Sequence, residues 1–243
     1  MAVANARFYF GYFMAVFNNL SLCLDLDGTL IDTAPDLVRV LNAVIAEEGL
    51  PETNFKEARK AVGYGSKALM NGAFSRAGHS VSQERYDDLR ALFFKLYAED
   101  IAQLSRPFPG VVDTLKTLKN QGVDLTICTN KPGYLARPLI TELGLSNLFT
   151  RIVGGDDLPR NKPYAEHIWK AAGHRGHARQ IIMIGDSRPD VLSARNARVP
   201  CLVMGYGYST IPVVKLGADR VLRSFREVPG AVVELVGSRL EAG

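Results

Sequence analysis

Short apolar runs alternate with amphipathic stretches along most of this chain, and that alternation restricts the fold more than any other feature. Residues 21–26, 123–129, 151–153, 180–184, 201–204 and 220–222 read as strands. Several are apolar at nearly every position, as strands covered on both faces must be. Residues 111–121 and 134–143 have the spacing of crossover helices, the second ending at Gly144. Pro163 opens a further helix that runs to about Ala172. The pattern predicts an α/β chain with a Rossmann-like parallel sheet.

Residues 35–107 break the alternation and hold no convincing strand. Leu37, Leu41, Val44 and Ile45 recur at helical spacing, as do Leu89, Leu92, Phe93 and Leu96. The breaker cluster Arg106-Pro107-Phe108-Pro109-Gly110 closes the segment. It reads as a helical insertion, which leaves 1–34 and 108–243 to form the α/β core. With 243 residues, 47% of them hydrophobic and 22% charged, the chain can build a core and an insertion and shows no sign of disorder.

Charge excludes some partners. A net charge of +4 is only mildly basic, and Arg220, Arg223 and Arg226 are interleaved with apolar residues in the manner of a solvated face. No nucleic-acid motif accompanies them. Cys23, Cys128 and Cys201 lie in apolar strand-like runs without metal spacing, which predicts buried reduced thiols and a cytoplasmic protein. The apolar run 8–17 is too short to span a bilayer, so no membrane partner is expected. Met14 is an alternative start, because the sequence from there leads directly into the first strand. His79, His167, His174 and His177 read as surface residues, and Trp169 as core.

Four polar clusters fall at or near strand ends, where open parallel sheets bind ligands. Asp25 and Asp27 flank Leu26 ahead of Gly28, and two adjacent carboxylates need a cation or a shared proton to coexist. A solvated strand-end turn would use the same residues. Thr129-Asn130-Lys131-Pro132 offers a hydroxyl and amides for phosphoryl oxygens, or a plain turn. Lys162, in Asn161-Lys162-Pro163, adds positive charge or lies on the surface. Gly185-Asp186-Ser187-Arg188-Pro189-Asp190 brings two more carboxylates, of which a helix N-cap explains only one.

The order and spacing of DxDGT, Thr after a second strand, Lys-Pro and GDSxxD resemble the haloacid dehalogenase-like superfamily over residues 21–205. The resemblance implies that Asp25 attacks phosphorus to form an aspartyl-phosphate, and that Asp27 protonates the leaving oxygen and then activates water. It implies a Mg²⁺ ion at Asp25, Asp27 (through its backbone carbonyl), Asp186 and Asp190, with Asp190 orienting Lys162 or a metal-bound water. Thr129, Asn130 and Gly28 would hold the phosphoryl group and Lys162 its charge. Asp27 favours phosphoryl transfer over dehalogenation, because a halide leaving group needs no proton.

The insertion resembles the cap domain of small-molecule phosphatases in that superfamily. The layout is most similar to the phosphoglycolate phosphatases, with VGYGSKAL in the cap and a late GYGYS at 205–209. Tyr64 departs from the Gly-Asn-Gly usual there. The resemblance implies a small anionic phosphate ester as substrate, with 2-phosphoglycolate foremost. Gly65, Ser66 and Lys67 would receive its carboxylate, and the protein would be a monomer or homodimer. A phosphosugar mutase, a pyrophosphatase, or a non-catalytic phosphate-ligand binding protein on the same fold are the alternatives.

Overall fold

The computed structural model describes Phe17, residues 19–173 and residues 180–240. Most of the apolar run 8–17, Met14, His174 and His177 lie outside these residues. Six parallel strands form the main sheet: β1 (Leu20–Leu24), β4 (Asp124–Cys128), β5 (Arg151–Val153), β6 (Gln180–Gly185), β7 (Cys201–Met204) and β8 (Arg220–Leu222), in the order β5-β4-β1-β6-β7-β8. In β1, Leu24 pairs with Ile127 on one side and Ile184 on the other.

Strand alternation distributes this sheet's side chains between two cores. Leu22, Leu24, Leu125, Ile127, Ile182 and Ile184 face one core. There they meet helices α5 (Val111–Asn120), α6 (Gly133–Glu142) and α9 (Val228–Leu240). Cys23, Cys128, Ile181, Met183 and Val203 face the other, against α7 (Ala165–Ala172) and α8 (Arg188–Ala197). Cover on both faces explains why these strands read as continuous apolar runs. All three cysteines are free and buried.

Chain order reverses between β1 and β6, so a crevice opens outside their carboxyl ends. Asp25 and Asp186 follow those two strands directly.

The insertion consists of α1 (Ala34–Ala46), α2 (Phe55–Val62), α3 (Gly65–Arg76) and α4 (Gln83–Glu99). Asn54 caps α2 by accepting from the Lys56 and Glu57 amides, and Ser82 caps α4 by accepting from Arg85. The four helices hang from a two-residue antiparallel ribbon, β2 (Ile31–Asp32) with β3 (Arg106–Pro107). Buried Asp36 secures the return passage: its Oδ2 accepts from the Leu104 amide (2.9 Å) and from the Ser105 amide and hydroxyl (both 2.7 Å).

Two expectations are corrected. The segment 35–107 ends in strand β3, which is too short to carry a periodic signal. The helix expected from Pro163 begins at Ala165, because Tyr164 is still extended (ψ 141°) as its N-cap.

Leu22 is fully buried on the central strand, whereas Val214 is 76% exposed. Leu22→Ala should therefore cost about 2–5 kcal/mol in urea unfolding, and Val214→Ala less than about 0.5 kcal/mol.

Candidate active site

Two buried carboxylates meet one buried ammonium at the crevice, and a third, Asp186, lies beside them. Lys162 Nζ lies 2.8 Å from Asp25 Oδ1 and 2.6 Å from Asp190 Oδ1. Burial works against the lysine's charge, but Asp190 and Asp25 outweigh it and hold its pKa above the ordinary value. Asp25 goes the other way. Burial first, then the charge of Asp190, raise its carboxyl from 3.8 to about 6 despite Lys162. Asp186 is raised well above the usual range by burial, then by Asp190 and Asp25.

The fourth motif is held by its own helix start. Asp190 Oδ2 accepts from the Asp186 amide (3.2 Å), the Ser187 amide (3.0 Å) and the Ser187 hydroxyl (2.7 Å), a capping box on α8. Asp186 Oδ2 accepts from the Tyr208 amide (2.6 Å), and its Oδ1 from the Thr29 hydroxyl (3.3 Å). Asp25, Asp186 and Asp190 each present an oxygen within 4.8 Å of the others. Hard oxygen donors, with the Asp25 and Asp186 carboxyls raised, form a set that a divalent cation such as Mg²⁺ fits.

The Asp27 side chain belongs to a second cluster. Its Oδ1 accepts from the Thr33 hydroxyl (2.7 Å), and Lys131 Nζ lies 3.2 and 3.4 Å from its two oxygens. Lys131 is 8% exposed and also donates to the hydroxyl of Tyr97 on α4 (2.8 Å). Burial opposes its charge, but Asp27 and Tyr97 prevail and its pKa is raised. Burial pushes the Tyr97 hydroxyl up to about 12.

The backbone around these groups is tightly fitted. Gly28 has φ +84°, and a Cβ there would stand 2.7 Å from Asp186 Oδ2 and 2.8 Å from the Tyr208 ring. Thr129 is buried, and its hydroxyl accepts from the Lys131 amide (3.1 Å). Asn130 donates to the Lys162 carbonyl (3.0 Å), which links the second and third motifs.

Asp25, Asp27, Thr129, Asn130, Lys131 and Asp186 line one cavity of about 240 Å³. The insertion supplies its other wall, including Gly65 and Ser66 and the α4 stripe Arg90, Phe93, Phe94 and Tyr97. Lys67 is exposed and not among the lining residues.

A family model for haloacid dehalogenase-like hydrolases matches residues 22–204. The chain belongs to that family. The hydrolase is 43% identical to a phosphoglycolate phosphatase of Caulobacter vibrioides, over 91% of this chain and 94% of the relative. It is 38% identical to the phosphoglycolate phosphatase of Agrobacterium fabrum, over 88% and 93%. Its fold is similar to the crystal structure of a predicted phosphoglycolate phosphatase from Haemophilus somnus 129pt, with a TM-score of 0.79 and 28% identity over 89% and 98% of the two chains. The chain is thus a phosphoric monoester hydrolase of the haloacid dehalogenase-like family.

The structure brings together every core residue that the four motifs named and adds several they did not. Lys131 stood inside a quoted motif without a role, because only contact with Asp27 shows one. Tyr208, in GYGYS, holds Asp186 through its amide and Asp32 through its hydroxyl (2.6 Å), and accepts from the Ala34 amide (3.0 Å). Arg59 stacks on its ring at 4.7 Å, and Tyr64 is hydrogen-bonded to Thr210.

His167 corrects the surface expectation. It is fully buried; its Nδ1 accepts from the Lys162 amide (3.1 Å), so Nε2 donates to the Val153 carbonyl (3.2 Å). Burial lowers its pKa to about 4.

The raised Asp25 sets a sign for stability. Between 3.8 and about 6 the folded form binds more protons than the unfolded, so this group's contribution to stability falls as pH rises through that window. Without metal, Asp25→Asn should be about 1–3 kcal/mol more stable than the parent at pH 8, with the gap closing below about pH 4. Urea unfolding across this pH range checks it.

Proposed function

We propose that the hydrolase cleaves a small phosphomonoester, foremost 2-phosphoglycolate, through an aspartyl-phosphate on Asp25. The observation that carries the reading is the placement of Asp25 at the sheet's switch point, bound to Lys162 and sharing one cavity with Asp27. An Asp25 carboxylate oxygen bonds to phosphorus as the ester P–O bond breaks. Asp27 gives the leaving oxygen its proton, then takes one from the water that displaces Asp25 from phosphorus. Splitting the displacement lets one cavity serve both halves.

Thr129, Asn130 and Gly28 hold the phosphoryl oxygens, and Lys162 balances their charge. Asp190 keeps Lys162 aimed at Asp25. Asp25, Asp186 and the backbone carbonyl of Asp27 would hold Mg²⁺, with Asp190 behind them; the ion would neutralise charge between the nucleophile and an anionic substrate.

Residues 35–107 act as the cap, closing the cavity against water and reading the leaving group. The N-terminus of α3 supports this role, since Tyr64 provides no side-chain cap and Gly65 and Ser66 face the cavity. At about 240 Å³ the cavity is below the roughly 300–1,000 Å³ of drug-sized sites, which suits a small ester. Phosphoglycolate as the named substrate of two relatives above 35% identity points the same way. Buried free thiols suit a reducing, cytoplasmic setting. No helix among the described residues is long and apolar enough to cross a membrane.

Phosphate release from a panel of esters, sugar phosphates and pyrophosphate, with Mg²⁺ or with EDTA, tests the assignment. Phosphoglycolate should lead the panel and EDTA should abolish turnover. Asp27→Asn should lower kcat by about 10²–10⁴-fold. Turnover that persists in Asp25→Asn would sink the mechanism, and isomerised sugar phosphate without free phosphate would indicate a mutase.

A further inference from the structure

We propose that Lys131, held by Tyr97 of the insertion, is the receptor for a carboxylate on the substrate's leaving group, and so selects phosphate esters of 2-hydroxy acids. This deepens the reading above and rests on it. A lysine has three N–H donors. Lys131 directs them to the two oxygens of Asp27, at 3.2 and 3.4 Å, and to the Tyr97 hydroxyl at 2.8 Å, and the donor on the longer Asp27 contact is the one that can turn to a second carboxylate. The side chain is buried in the wall of the cavity that holds Asp25.

Position decides what that donor can meet. Asp27 must touch the ester oxygen to protonate it. In an ester of a 2-hydroxy acid the carboxylate carbon is two bonds from that oxygen. Its oxygens therefore fall beside Asp27, where Lys131 Nζ lies 3.2 Å from the carboxylate. The Tyr97 hydroxyl, 2.8 Å from the same nitrogen, fixes its direction and can donate as well.

The other cations are placed less well. Lys67 is exposed and outside the cavity lining. Arg90 lines the cavity and stacks on Phe94 at 5.1 Å, but it precedes Tyr97 by seven residues on α4, roughly 10 Å along the axis. That separation suits a longer leaving group than glycolate.

Ethyl phosphate, with a methyl in place of the carboxylate, isolates the contact. The parent protein should prefer 2-phosphoglycolate over ethyl phosphate by about 10–100-fold in kcat/KM, as one charge-assisted hydrogen bond supplies. Lys131→Met should remove most of that preference, Lys131→Arg should restore part, and Tyr97→Phe should reduce it several-fold. Glycolate should inhibit the parent more strongly than ethanol, and Lys131→Met should lose the difference. Should Lys131→Met not fold, Tyr97→Phe and the glycolate inhibition of the parent carry the test.

Equal losses on the two esters in Lys131→Met would show that Lys131 serves Asp27 alone and overturn the proposal. Collapse of the preference in Lys67→Ala, with Lys131→Met keeping it, would return the role to Lys67. Equal turnover of both esters by the parent overturns the receptor but leaves the phosphatase standing, whereas release from neither ester with Mg²⁺ removes both.

Discussion

A buried ammonium group between two buried carboxylates organises this molecule's reactive edge. Lys162 Nζ touches Asp25 and Asp190, and its charge opposes the burial that raises the Asp25 carboxyl. Each partner is then fixed by something else. His167 and Asn130 bind the Lys162 backbone, Ser187 and the Asp186 amide bind Asp190, and the Ile184 carbonyl accepts from the Asp25 amide at 2.8 Å. Even so, one lysine does not neutralise the Asp25, Asp186 and Asp190 group. The remaining negative charge is of the kind that a divalent ion would balance.

The insertion is fastened to that edge by aromatic residues with polar tips. Tyr97 reaches Lys131 from α4, and Tyr208 reaches Asp32 and the first turn of α1 from the core while its amide holds Asp186. Tyr206 donates to the Thr29 carbonyl (2.7 Å) and packs on Phe108 at 4.4 Å, so the two crossing passages are clamped from the same loop. A shift of α1 or α4 would therefore be felt at Asp186 and Lys131, which line the cavity beside Asp25 and Asp27. Tyr64, which departs from the usual cap phrase, spends its hydroxyl on Thr210 in this contact.

Much of this architecture was legible in the chain. Continuous apolar runs such as Ile181–Ile182–Met183–Ile184 need cover on both faces, and that requirement alone implies a parallel sheet under helices. The ends of strands and helices shifted by one or two residues, since hydrophobic spacing is silent about where hydrogen bonding stops. His167 was read as surface because one histidine on an amphipathic helix carries no sign of its environment; two backbone partners satisfy it in the interior.

By itself, the sequence determined the fold class, the four motifs and the carboxylate-rich chemistry, because strand periodicity and the residue types at strand ends are local properties. Tertiary structure alone decided which charge meets which. Lys162 joins Asp25 rather than lying on the surface, Lys131 joins Asp27 across 104 positions, and Tyr208 joins Asp186 across 22. It also placed Lys67 outside the cavity and Arg90 within it. Contacts between distant segments depend on how helices and strands pack, and spacing along the chain encodes them only through the finished fold.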